Sequence, residues 1–304
     1  MNHWRMVRVT KLVFALLSVV YFAGCSSTQE NPETREPEVQ VSEEEKKSRP
    51  EVSVTQPETM PDVAPEPPPE PTTKAASRKL DPRYDSLVKA VRKSGKASEI
   101  QEEASRLLGA DANDAVALNT IALLHLRRGQ PKAAKLLLAR AIEKSPSVAG
   151  LHNNLGVAHL DDGDPEAAIV EFKKALDLDE GHVEALGNLG SLYLKGGNVN
   201  RAFPLLEAAY RANRSNAAVA NNYALALRAR NELEAARRVY ADLLKTHPKD
   251  VNALLNYAIL LIEFMNQPKE GLELVYKVKF LETQRKDVLA TANALENKAK
   301  SELK

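Results

Sequence analysis

One cysteine in 304 residues, Cys25, excludes an intrachain disulfide and any metal site built on clustered thiolates. The chain also lacks a charge excess, with 42 Lys+Arg against 41 Asp+Glu. Without a concentrated basic surplus, nucleic acid is not an expected partner. No glycine-rich phosphate loop follows a strand pattern, and no His-Glu-x-x-His helix is present. Neither an enzyme active site nor a cofactor nor a bound metal is therefore expected. An apolar run long enough to span a bilayer is missing too. Leu12 to Ala23, broken only by Ser18, would rise about 18 Å as a helix, short of the ~30 Å hydrocarbon core.

What that short run does fit is the apolar centre of a secretory signal. Arg5, Arg8 and Lys11 precede it with no acid in the first 25 residues, and Phe22-Ala23-Gly24-Cys25-Ser26-Ser27 ends it. The ending resembles the lipobox of bacterial lipoproteins, with Phe22 where that motif usually has Leu. The resemblance implies cleavage after residue 24, lipidation of Cys25 and, with Ser26 next, sorting to the outer membrane of a Gram-negative cell. Several acyl chains are attached in that family, and more than one chain is what stable anchoring requires. An ordinary cleaved signal with an incidental cysteine, or an uncleaved anchor, is the alternative. The place of the sole cysteine, where the apolar run stops, favours lipidation.

Residues 25–80 read as a tether behind that anchor. Ten of the 17 prolines lie between 26 and 80, including Pro67-Pro68-Pro69, among Glu, Ser and Thr and with no Trp, Phe or Tyr. Such a composition cannot bury enough apolar surface to offset its ordering entropy, so a disordered Pro/Glu-rich linker is expected. Proline density and net negative charge favour extension. At about 3.1 Å per residue this stretch reaches up to roughly 170 Å.

From residue 81 the chain repeats itself. Leu155-Gly156 and Leu189-Gly190 are 34 residues apart, and the register runs without a gap from 81 to 250. In repeat numbering, position 8 is small (Ala122, Gly156, Gly190, Ala224), and position 20 is Ala134, Ala168, Ala202 and Ala236. Position 27 is Ala141, Ala175, Ala209 and then Leu243, and position 24 is large (Leu138, Phe172, Leu206, Tyr240). This set of small residues at 8, 20 and 27 resembles the tetratricopeptide repeat. The resemblance covers residues 81–285 as about six repeats and implies an all-α, right-handed solenoid of helix-turn-helix units. The first repeat is degenerate, with Val88 at position 8. The sixth, 251–285, needs one inserted residue near Gln267-Pro268. Residues 286–304 then read as a capping helix with Val288, Leu289, Ala292 and Leu295 inward. Local patterning agrees. Leu151, Leu155, Ala158 and His159 share a helical face, Gly163 suits a left-handed stop, and Asp164-Pro165 suits a helix start.

Two clusters imitate metal sites. His152 and His159 share one helix face, but with His125 they occupy positions 4 and 11, where the resemblance places packing aromatics. Asp161-Asp162-Gly163-Asp164 looks like a calcium loop, yet it lacks the remaining spacing and the distal Glu and falls in an inter-helix turn.

The resemblance also implies a concave groove lined by positions 2, 5, 6, 9, 12 and 13 of each first helix. Position 6 holds Asn154, Asn188, Asn222 and Asn256, and position 5 adds Asn119, Asn153 and Asn221. An amide offers both donor and acceptor, so it bonds a peptide backbone without reading its sequence. Positions 9 and 12 supply apolar rows that include Leu126, Leu160, Leu194, Leu225, Ile259 and Ile262, and exposed apolar surface of this kind marks an interface. A carboxylate clamp is not expected, because positions 2 and 6 carry no Lys or Arg. The expected function is a protein–protein interaction scaffold whose partners are other proteins of the cell envelope. The chain is similar to the tetratricopeptide lipoproteins that assist assembly of secretins, pili and motility machines at the outer membrane, with the repeats in the periplasm. An adaptor for peptidoglycan enzymes and a purely structural membrane tether are the alternatives.

Overall fold

The computed structural model describes residues 81–304. Cys25, the signal and the tether lie outside the described residues. Among these there are thirteen α-helices and no strand. A short helix, α1 (Asp85–Lys89), runs on into a π turn over Ala90–Ser94 and is followed by α2 (Ala97–Ala110). Four regular pairs come next: α3 (Ala115–Arg127) with α4 (Pro131–Lys144), α5 (Ala149–Asp161) with α6 (Pro165–Leu178), α7 (Val183–Lys195) with α8 (Val199–Ala212), and α9 (Ala217–Ala229) with α10 (Leu233–Thr246). The last pair is α11 (Val251–Ile259), continued by a π turn over Leu260–Phe264, with α12 (Pro268–Leu281). A single helix, α13 (Lys286–Glu302), closes the chain.

The turns within pairs follow one rule. Gly95, Gly129, Gly163 and Gly197, then Asn231 and Asn266, all have positive φ, between 52° and 82°. Only Gly, or Asn among L-residues, takes this left-handed conformation cheaply. It lets the next N–H return to a carbonyl of the last turn, as in Gln130 to His125 at 3.0 Å and Asp164 to His159 at 2.9 Å. The extra residue of the last pair is absorbed inside its first helix as the π turn, upstream of the Gln267-Pro268 site where the sequence places it. Starts are capped at a recurrent place. Asp114, His182, Asn216 and Asp250 accept from the N–H three residues on.

Packing follows from residue size. A Cβ on Gly156 would stand 2.6 Å from the Phe172 ring, and one on Gly190 would stand 2.7 Å from Leu206. Ala134, Ala168, Ala202 and Ala236 are fully buried opposite them. Each pair leaves an apolar face that its neighbour covers, so the core continues from pair to pair. At the end, Val288, Ala292, Leu295 and Ala299 of α13 cover Leu254, Ala258, Val275 and Val278. Successive first helices pack on one another, α3 with α5, α5 with α7, α7 with α9 and α9 with α11, whereas successive second helices have no comparable contact. The first helices therefore form the crowded inner side, and α13 joins that row through α11. No described helix is long and apolar enough to cross a membrane.

Candidate functional site

The inner face is built around asparagine, but the amides first serve one another. Asn188 Nδ2 donates to Asn153 Oδ1 (2.9 Å), Asn153 Nδ2 to Asn154 Oδ1 (3.2 Å), and Asn154 Nδ2 to Asn119 Oδ1 (2.9 Å). A second chain runs from Asn256 Nδ2 to Asn221 Oδ1 (2.9 Å), from Asn221 Nδ2 to Asn222 Oδ1 (3.3 Å), and from Asn222 Nδ2 to Ser191 Oγ (2.6 Å). Position 6 of one pair thus donates to position 5 of the pair before it. The relay breaks at Gly187, which has no side chain to accept, and Ser191 one turn later takes the bond before donating to the Gly187 carbonyl. The first chain ends less well. Asn119 keeps an unpartnered buried Nδ2, because the next residue is Thr120, whose hydroxyl donates to the Val116 carbonyl.

Burial divides the expected groove. Asn119, Asn153 and Asn154 are buried, so they stitch helices together and are not open to a ligand. Leu126 and Ile262 are corrections of the same kind. Leu126 belongs to the core, and Ile262 lies under Gly271, where a Cβ would collide with it. Position 12 faces the junction with the neighbouring pair, and at these two sites an aliphatic side chain fills it. Asn188, Asn221, Asn222, Asn256, Leu160, Leu194, Leu225 and Ile259 are half-buried and keep a face toward solvent. The open inner surface therefore lies along α7, α9 and α11. It continues onto α13, where Thr291, Ala294 and Asn297 are exposed at the equivalents of positions 6, 9 and 12. That extension was legible only by carrying the repeat register past residue 285.

The histidines are structural. His152 is buried, with Nδ1 2.8 Å from Glu171 Oε2, and His125 Nδ1 lies 2.7 Å from Gln130 Oε1 at the start of α4. Burial opposes the Glu171 charge, but hydrogen bonds from His152 and Lys174 outweigh it and hold the carboxyl below its ordinary value. The acidic run in the α5–α6 turn is occupied as well. Asp164 caps α6 through Ala167 N at 3.0 Å, and Asp162 pairs with Lys135 of the preceding pair.

The tetratricopeptide-repeat family matches this chain over residues 119–183, 171–218, 187–251 and 222–264. The repeat region is a tetratricopeptide-repeat solenoid, the fold of a class of proteins that bind other proteins or peptides. No curated protein matches the chain. Among solved structures it is similar to Pseudomonas aeruginosa pilF, at 23% identity over 64% of this chain and 90% of that one, with a TM-score of 0.53. A tetratricopeptide repeat protein from Parabacteroides merdae aligns at 16% identity over 73% and 91% of the two chains, TM-score 0.53. YrrB, described as having an unusual peptide-binding site, aligns at 18% identity over 64% and 99%, TM-score 0.48. At these identities the likeness is one of fold.

Proposed function

We propose that this protein is an assembly scaffold, held at a membrane by lipid on Cys25, that takes a segment of an envelope protein on its inner face. The observation that carries the reading is the half-buried row of Asn188, Asn221, Asn222 and Asn256 beside Leu225 and Ile259. Amides spaced one repeat apart suit an extended backbone, and the apolar residues beside them supply burial. The relay supports this use. Each Asn spends one N–H on a neighbour, and its amide retains a second N–H and a free lone pair for a partner. The basic and apolar leader, the lipobox-like sequence and the proline-rich stretch before residue 81 favour a tethered location. Machines such as secretins, pili or motility complexes present long-lived envelope partners of this kind.

Photo-crosslinking tests the face directly. A crosslinking amino acid at position 225 or 259 in cells should capture one envelope protein, and the same group at the outward Leu136 should not. Equal capture from both faces, or capture only from Leu136, would move the site off the inner surface.

A further inference from the structure

Position 12 of the first helices is Leu126, Leu160, Leu194 and Ile262 in four pairs and Arg228 in the remaining one. The solenoid does not need a cation there, since four equivalent sites are filled by aliphatic side chains. Arg228 leaves the last turn of α9 half-buried, and its guanidinium lies 5.1 Å from the centroid of the Phe264 ring. Its Nη1 is sealed from solvent without a hydrogen-bond partner. The acids nearest in sequence are engaged elsewhere. Glu232 pairs with Arg230 at 2.6 Å, Glu263 meets Lys298 at 4.0 Å, and Glu270 pairs with Arg237 at 3.2 Å. The C-terminal dipole of α9 and the Phe264 ring offset part of this charge. Neither accepts a hydrogen bond as a carboxylate does, and a shielded guanidinium without an acceptor is unfavourable.

We infer that Arg228, with Phe264 over it, is a reading site for a carboxylate side chain of the bound segment. The inference rests on the inner-face reading above and adds the chemistry that the Asn row cannot supply, because amides do not discriminate among sequences. A guanidinium presents a planar donor edge that matches a carboxylate and no other common side chain. Phe264 is 47% exposed, so its outer edge offers apolar contact to a residue beside the acid. The ligand class is a peptide segment with Asp or Glu next to an apolar residue, laid across α9 and α11.

The full-length protein is immobilised and exposed to a library of short peptides in which one position at a time is fixed as Asp, Glu, Asn, Gln or Lys. Wild type should prefer Asp or Glu over the matching amide by roughly ten-fold at one position. Arg228→Gln should lose that preference while still retaining peptides, and Arg228→Lys should keep part of it. Arg228→Leu, which copies the other pairs, should fold with an equal or higher Tm and show no acid preference. Retention without acid preference in wild type overturns the inference and leaves the inner-face reading standing. Acid preference that survives in Arg228→Gln overturns it as well, and so does a lowered Tm in Arg228→Leu, which would make the guanidinium a structural group. If wild type retains no peptide at all, both readings fail together.

Discussion

Asparagine in this protein has two unequal tasks, and burial separates them. Asn154 bonds on both sides within a shielded row, so Asn154→Ala strands Asn119 Oδ1 and Asn153 Nδ2 away from water. Stranded buried groups cost about 1–3 kcal/mol, and urea denaturation should show a loss of that size. Asn256→Ala, at the half-buried head of the second chain, should cost less because water reaches its neighbours. Equal losses at the two sites would mean that the relay contributes nothing beyond ordinary packing. A second residue-scale test concerns the left-handed turn position. Gly163→Ala forces a Cβ into φ +82°, at roughly 1–2 kcal/mol. Gly163→Asn should cost less, since Asn231 and Asn266 hold the equivalent place. Identical Tm values for the two variants would contradict this reading of the turn.

At the scale of the element, helix pairs close only because one partner is small at the crossing. Gly156→Leu places a side chain where the Phe172 ring already stands. Overpacking of this kind costs about 1–3 kcal/mol, and the melting curve should shift down accordingly. The join of α12 to α13 gives a pH test. The Glu282 carboxylate accepts from the Arg285 side chain and from the Gln284 and Arg285 N–H groups, which hold its pKa at about 2. A depressed carboxyl stabilises the fold fully above its ordinary value near 4.5, and that contribution disappears as pH falls toward about 2. Glu282→Gln should therefore narrow the stability difference from wild type as pH falls through this window. A difference that stays constant across it would remove Glu282 from the account.

For the molecule as a whole, the folded repeats and the proposed anchor are separable. Labelling cells with an alkyne fatty acid should tag the wild type and leave Cys25→Ser unlabelled. Equal labelling of the two would end the lipoprotein proposal without touching the solenoid. The solenoid also needs its last helix. Removing residues 286–304 uncovers Leu254, Val275 and Val278, so the truncated chain should melt at a lower temperature and bind more hydrophobic dye.

The repeat register was legible in the sequence because its rules are local. Ala or Gly at positions 8 and 20, Gly or Asn in the turn, and Asp or Asn before a helix act within a few residues or between adjacent helices. A 34-residue spacing then repeats them, and that was enough to define the architecture. The status of the inner face was not local. Leu126 and Leu225 sit in similar rows, yet one is core and the other is half-open, because burial depends on how neighbouring pairs crowd each first helix. The same holds for Asn119 against Asn256. Sequence shows the amides one repeat apart, but the bond from position 6 back to position 5 exists only once residues 35 apart in the chain lie side by side. Arg228 is the sharpest case. Its substitution into an aliphatic row is visible in the sequence, but its unpartnered Nη1 and the Phe264 ring over it follow from tertiary packing alone.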